Sequence, residues 1–299
     1  MAELSPAFLP ALEGIATEVE ARLEAVLPAV EGPEHRLLAA MRYAVLGGGK
    51  RLRPFLTVAT ADMFGVPRAQ SLQAAAAVEL LHTYSLVHDD LPAMDDDALR
   101  RGQPTVHVKF DEAVAILAGD ALLTLAFELL ADVRLHPDAR IRVQMVQALA
   151  QAAGPQGMVA GQAIDLAVSH DEADLAAITR LQQMKTGAVI GFCCAAGALL
   201  GAATEEQRLA LKAYAHDLGL AFQITDDVLD VTGDATQLGK SPGKDMAAGK
   251  ATFVALLGLE QARQQAAMLG DQASQHLEIF GERAKLLRDL AAFAVVREF

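Results

Sequence analysis

Two runs of aspartate carry the chemistry of this chain. The first is His88-Asp89-Asp90-Leu91-Pro92-Ala93-Met94-Asp95-Asp96-Asp97, and the second is Gln223-Ile224-Thr225-Asp226-Asp227-Val228-Leu229-Asp230. Carboxylates packed this densely repel one another, so each run needs a compensating cation. Hard divalent cations such as Mg²⁺ take oxygen ligands, commonly one or two carboxylates together with substrate phosphates. Basic residues follow each run: Arg100 and Arg101 after the first, and Lys240, Lys244 and Lys250 after the second. Acid beside base in this way points to metal ions bridging to a polyphosphate, and so to chemistry on a diphosphate.

The spacing within each run bears on how its carboxylates converge. Asp226 and Asp230 are four residues apart and share one face of a helix, with Asp227 flanking it. Asp89 and Asp95 are six apart, which a regular helix does not align. Pro92 prevents an undisturbed helix there, and a distortion would bring Asp95 back beside Asp89. The bland alternative is a pair of solvated helix ends, but carboxylates at a helix C-terminus oppose the macrodipole. A third segment, Gly47-Gly48-Gly49-Lys50-Arg51-Leu52-Arg53-Pro54, has the makings of an anion pocket. Its glycines permit close approach, and its arginines offer forked donors to phosphate oxygens. It lacks P-loop spacing, and taken alone a helix C-cap followed by basic residues describes it equally well.

The elements that must position these residues are helical. Apolar residues make up 53% of the 299 residues and aromatics only 5%; abundant Ala and Leu with few β-branched or aromatic residues favour helix over sheet. Apolar positions such as Val114, Leu117, Ala121, Leu125 and Leu129 recur at helical intervals. The pattern predicts helices over 8–30, 34–47, 53–64, 69–91, 110–132, 139–153, 169–200, 204–230, 249–269 and 283–296. Capping-box spacing supports two of the starts, Ser169 with Glu172 and Thr204 with Gln207. Gly187, Gly191, Gly197 and Gly201 cost helix propensity unless a neighbouring helix or ligand comes close there. No linker, low-complexity segment or repeat breaks the chain, so the expectation is one all-α domain over 1–299.

Charge and composition narrow the partners. A net charge of −13 argues against nucleic acid or an anionic membrane surface. Residues 187–203 are uncharged, but they are mostly Ala and Gly and short for a bilayer span, so they read as a buried core helix and no membrane span is expected. The two cysteines, Cys193 and Cys194, are adjacent and too few for a disulfide framework, which fits a reducing, cytoplasmic setting. No secretory signal is visible at the start of the chain.

Taken together, His88-Asp89-Asp90 with Asp95, Arg100-Arg101-Gly102, the Gly-Gly-Lys-Arg-Leu-Arg-Pro segment, Lys185-Thr186-Gly187 and the run from Gln223 to Asp230 resemble the trans-prenyltransferases (polyprenyl synthetases). Within that family they are most similar to the bacterial farnesyl diphosphate synthases. The elements stand in the family's order from Gly47 to Lys250, and as a set they are specific where each alone is not. The resemblance implies a large helical bundle of the isoprenoid synthase type around a central cavity. It implies Mg²⁺ as cofactor, more than one ion per site with Mn²⁺ as an alternative, and a homodimer. Asp89, Asp90 and Asp95, and Asp226, Asp227 and Asp230, would be the metal-binding aspartates. Arg100, Lys185, Thr186, Gln223 and Lys240 would hold the allylic diphosphate, and Lys50, Arg53, His82 and Arg101 the diphosphate of isopentenyl diphosphate, with Lys250 as a further phosphate contact. Gln162 and Asp165 fit a family segment that lines the active site.

The implied reaction is head-to-tail condensation of isopentenyl diphosphate with dimethylallyl or geranyl diphosphate through an allylic carbocation. Lewis-acid metals and preorganised cations stabilise the departing diphosphate, and apolar walls keep water from quenching the cation. The motifs offer no dedicated base, so the resemblance assigns the final proton to the released diphosphate. Tyr84, five residues before Asp89 and about 7.5 Å deeper along the helix, resembles the floor that stops growth at fifteen carbons, with Ser85 beside it. Read without the family, Tyr84, Tyr214 and Met184 are core residues, Lys244 is surface charge, and Asp120 is a hydrogen-bonded structural carboxylate in an apolar helix. The C-terminal Val296-Arg297-Glu298-Phe299 is given no substrate contact. Three other functions stay open. A geranylgeranyl or longer-chain synthase would differ only at the pocket floor. A metal-dependent phosphohydrolase would release phosphate without coupling carbon, and a noncatalytic helical partner subunit would tolerate loss of Asp89.

Overall fold

Most helix boundaries follow from caps and prolines. The computed structural model describes residues 4–167, 174–233 and 252–297. Helix α1 spans Phe8–Val26, shorter than the expected 8–30 because Pro28 restricts the residue before it to extended backbone. Helix α2 spans His35–Leu46 and α3 Leu52–Met63. Helix α4, Arg68–Asp89, starts directly after Pro67. A two-residue antiparallel pair, Leu99–Arg100 with Gln103–Pro104, follows it. Arg101 and Gly102 both take positive φ at its turn, the twist that suits a tight hairpin. Helix α5 is Val106–Lys109. Asp111 caps α6, Glu112–Ala131, by accepting from the Val114 N–H at 2.7 Å. Asp138 caps α7, Ala139–Ala153.

Three differences from the expected pattern have local causes. Helix α8, Met158–Ala167, falls between the expected helices 139–153 and 169–200; Gly157 and Gly161 lower its intrinsic propensity, which tertiary contacts override. The predicted 169–200 helix is described from α9, Leu175–Gln182, capped by Asp174. The Ser169–Glu172 box lies outside the described residues. After α9 the helix widens into a π-turn, Gln183–Gly187, and resumes as α10, Ala188–Leu200. The Thr204–Gln207 capping box is formed, and α11 runs over Glu205–Thr232. Beyond the undescribed stretch come α12, Phe253–Leu257, and α13, Leu259–His276, separated by Gly258 at φ +78° where one helix was expected. A 3₁₀ turn over Glu278–Ala284 leads into α14, Lys285–Val296.

The chain is all-α, as expected. Helix α4 sits at the centre, packed by α1, α2, α3, α6 and α10. Ala74 to Val78, Leu80 and Leu81 are buried on every side of it, the mark of a core helix. Helix α10 lies against α3, α7 and α11, and α11 against α13. Of the four glycines singled out in this region, Gly197 makes a tight helix contact, since a Cβ there would stand 2.6 Å from the Ala61 nitrogen of α3, while Gly191 faces open space. Two stretches, Glu112–Ala131 and Leu175–Leu200, are long and apolar enough to cross a bilayer by length and composition. In the second, Phe192, Cys193 and Cys194 are buried in the protein core.

Candidate active site

A cavity of about 600 Å³ opens between α4, α6, α8 and the π-turn. Its body is apolar, with Leu86, Ile116, Met158, Ala163 and Val189. Its polar groups include Arg53, His82, Asp89, Gln162, Lys185 and Thr186.

The first aspartate run folds back at Pro92. The Asp95 N–H donates to the Asp89 carbonyl at 2.9 Å, and the Asp97 N–H to the Asp90 carbonyl at 3.2 Å. Asp95 is thereby close enough for its charge to act on Asp89. Burial raises the Asp89 carboxyl to about 6; Lys185 opposes that and Asp95 adds to it. A buried carboxylate with a second one beside it is a site that demands a cation. Asp90 stands apart from this wall. It is 3% exposed and accepts from Arg100 Nε at 2.7 Å and Nη2 at 2.6 Å. The candidate metal ligand Asp90 and the candidate phosphate ligand Arg100 are thus bound to each other.

The glycine-rich segment builds the cationic side. Arg51, at φ 52°, turns into the core, where it ion-pairs with Glu79 and donates to the Val45 carbonyl at 2.7 Å. That leaves Lys50 and Arg53 as the phosphate candidates. Arg53 Nη1 lies 3.3 Å from His82 Nε2. Burial first, and then the positive charges of Arg53, Arg101, Arg100 and Arg51, hold the His82 imidazole well below its ordinary pKa. Neutral His82 can therefore accept from Arg53. Arg101 donates to the Gly48 carbonyl. Gly49, at φ +131°, makes room for it, since a Cβ there would stand 2.7 Å from the guanidinium carbon. Arg53, Arg101 and His82 gathered this way can receive an anion.

The π-turn presents the remaining groups. Lys185 Nζ is 2.6 Å from Asp165 on α8, an approach made possible by Gly161, where a Cβ would stand 2.3 Å from the Lys185 nitrogen. Thr186 donates to Gln223 at 3.2 Å, and Gln223 donates to Asp227 at 3.4 Å. The cavity wall is therefore linked to the second aspartate run. There Asp227 also accepts from the Phe253 N–H at 2.8 Å, and Asp227 and Asp230 are each 4% exposed. Lys50 completes the circuit: partial burial and Arg297 depress its ammonium pKa, while Asp226 opposes them. The amide of buried Gln162 finds no hydrogen-bond partner among the described residues, although it lines the cavity. An orphaned amide in such a place is suited to a polar group that arrives with a ligand.

Tyr84 and Ser85 are on the cavity wall, with the Ser85 hydroxyl donating to the His82 carbonyl at 2.8 Å. Lys240, Lys244 and Lys250 lie outside the described residues. One reading needs correction: Asp120 is exposed on α6 with His88 Nε2 at 3.9 Å, because the apolar helix has an uncovered face. Arg297, given no substrate contact from the sequence, is buried and pairs with Asp226 at 2.6 Å while its guanidinium stacks 3.9 Å over the Phe222 ring. A single arginine near the chain end carries no spacing that would reveal this. Tyr214 is core, as expected, its hydroxyl bonded to the Leu287 carbonyl at 2.8 Å.

Carboxylates, an arginine cluster and an apolar chamber on an all-helical scaffold define a diphosphate-handling protein with room for a hydrocarbon chain. A polyprenyl synthetase family model matches residues 34–288, and the chain belongs to that family. Farnesyl diphosphate synthase of Escherichia coli K12 is 49% identical over 293 residues, covering 97% of this chain and 96% of the relative. Geranylgeranyl pyrophosphate synthase 11 of Arabidopsis thaliana is 44% identical over 265 residues, 86% of this chain and 74% of the relative. The crystal structure of an FPP/GFPP synthase from Zymomonas mobilis superimposes with a TM-score of 0.87 at 49% identity, covering 97% of this chain and 99% of that one.

Proposed function

We propose that this chain is a prenyltransferase that condenses isopentenyl diphosphate with dimethylallyl and then geranyl diphosphate to give farnesyl diphosphate. The observation that carries the reading is the joining of Asp89, Lys185 and Thr186 to an apolar chamber of about 600 Å³. One end suits a diphosphate and its counter-ions, and the other a growing hydrocarbon. All 299 residues are read as one catalytic unit.

Among the described residues no three carboxylate or imidazole groups form a ready-made metal site. A hard cation shared with substrate phosphates needs only one or two protein carboxylates, and the raised Asp89 carboxyl with Asp95 at its side fits that role. Asp89 and Asp95 on one side and Asp226, Asp227 and Asp230 on the other would hold Mg²⁺, which supplies Lewis-acid stabilisation of the leaving diphosphate.

The chain's own groups do the rest. Lys185, Thr186 and Gln223 orient the allylic diphosphate and meet the negative charge that develops as its C–O bond breaks. Arg53, His82, Arg101 and Lys50 hold the second diphosphate, so the isopentenyl double bond is presented to the allylic cation. The apolar wall keeps water out. The released diphosphate takes the proton. The uncovered apolar face of α6, with Leu117 exposed, supports a homodimer, and the buried residues of α10 support a core helix in place of a membrane span.

Incubation with Mg²⁺, isopentenyl diphosphate and each allylic diphosphate, followed by chromatographic sizing, tests the reading. Farnesyl diphosphate is the expected main product. Phosphate release with no longer chain formed would overturn it.

A further inference from the structure

Overall identity to synthases named for different products does not say where chain growth stops, so the stop has to lie in local packing. Tyr84 and His88 are one turn apart on α4 and both line the cavity. Their rings meet edge to face, with centroids 5.4 Å apart at 86°. His88 Nε2 lies 3.0 Å from the Ile116 carbonyl on α6; a carbonyl only accepts, so this nitrogen carries the hydrogen. The imidazole fits against α6 because residue 119 is glycine. A Cβ there would stand 2.1 Å from His88 Nε2 and 2.4 Å from Cδ2.

We propose that His88 is a positioning residue for product length: seated in the Gly119 notch and bonded to Ile116, it holds the Tyr84 ring across the cavity. Tyr84 then owes its blocking position to a neighbour on its own helix and to a missing methyl on the facing one. The inference rests on the proposed chain-growth function of this cavity.

Product lengths from isopentenyl and geranyl diphosphate test it. His88→Ala retains the Tyr84 residue but frees its ring, so the share of products beyond fifteen carbons rises roughly threefold or more, the scale set by loss of an edge-to-face contact. In a Tyr84→Ala background the same change adds nothing, because it acts through the ring that is gone. Gly119→Ala expels the imidazole into the cavity, so ten-carbon product accumulates when dimethylallyl diphosphate is the starter; adding His88→Ala abolishes that shortening. An unchanged product distribution in both His88→Ala and Gly119→Ala would overturn the proposal, as would lower thermal stability with no change in length. Absence of carbon–carbon coupling by the unsubstituted protein would instead refute the function on which it rests.

Discussion

The two aspartate runs solve the same electrostatic problem in opposite ways. The first sits where a helix stops. Pro92 turns the backbone, the Asp95 amide returns to the Asp89 carbonyl, and Asp89 is left as a buried carboxyl raised to about 6. The second lies inside an unbroken helix, and the protein itself supplies cationic or N–H partners: Arg297 for Asp226 and the Phe253 N–H for Asp227. In the first run Asp89 keeps a demand for positive charge even though its neighbour Asp90 is paired with Arg100, while much of the second run's demand is already met. The difference teaches that equal aspartate counts do not make equal cation sites; what matters is how far the fold has already compensated each carboxylate.

The largest test of that contrast is turnover. Asp89→Asn should lower kcat by about 10³-fold, the scale for removing one group that stabilises transition-state charge, in a steady-state assay with saturating Mg²⁺. Retention of more than a tenth of the activity would remove Asp89 from the site.

Stability without metal separates the two runs by sign. Raising the Asp89 carboxyl from 3.8 to about 6 corresponds to about 3 kcal/mol against the charged form. In EDTA at neutral pH, Asp89→Asn is therefore expected to raise Tm. Asp226→Asn should lower Tm by leaving buried Arg297 without its carboxylate, a destabilisation of about 1–3 kcal/mol given that Asp226 is itself partly exposed. Shifts of the same sign in calorimetry would break the comparison.

The pH dependence follows from the same group. Its folded pKa lies above its unfolded value, so the native state holds the proton longer. The Asp89 contribution to the stability of the metal-free protein then falls as pH rises between about 4 and 6 and is flat above that window. In denaturant titrations in EDTA, the stability of the unsubstituted protein minus that of Asp89→Asn should show this decline.

The smallest effect concerns the link between the runs. Thr186→Val removes the hydroxyl that donates to Gln223, a bond worth about 1 kcal/mol. A few-fold loss in kcat/KM for the allylic substrate is expected, with little change in KM for isopentenyl diphosphate.

Much of this molecule was legible in advance, for identifiable reasons. Thr204 with Gln207 announced the start of α11, because capping chemistry is local. Pro92 between Asp89 and Asp95 announced the fold-back, because a proline ring excludes regular helix from its own neighbourhood. The inward turn of Arg51 was not legible: Lys50, Arg51 and Arg53 look alike as cations, and only the placement of Glu79 on α4 selects one for the core. The π-turn carrying Lys185 and Thr186 was hidden for a similar reason. The helical pattern continues through it, and the extra residue is accommodated against α8, where Gly161 admits the backbone.

The residue pattern alone thus settled the helical class, the two acidic runs and the glycine-rich cationic segment, since each depends on interactions within a few residues along the chain. Tertiary packing decided which carboxylates are compensated, which arginine is sacrificed to the core, and that His88 rests in a notch of α6. Those outcomes are set by contacts between residues tens of positions apart, and local spacing contains no information about which partner will be there.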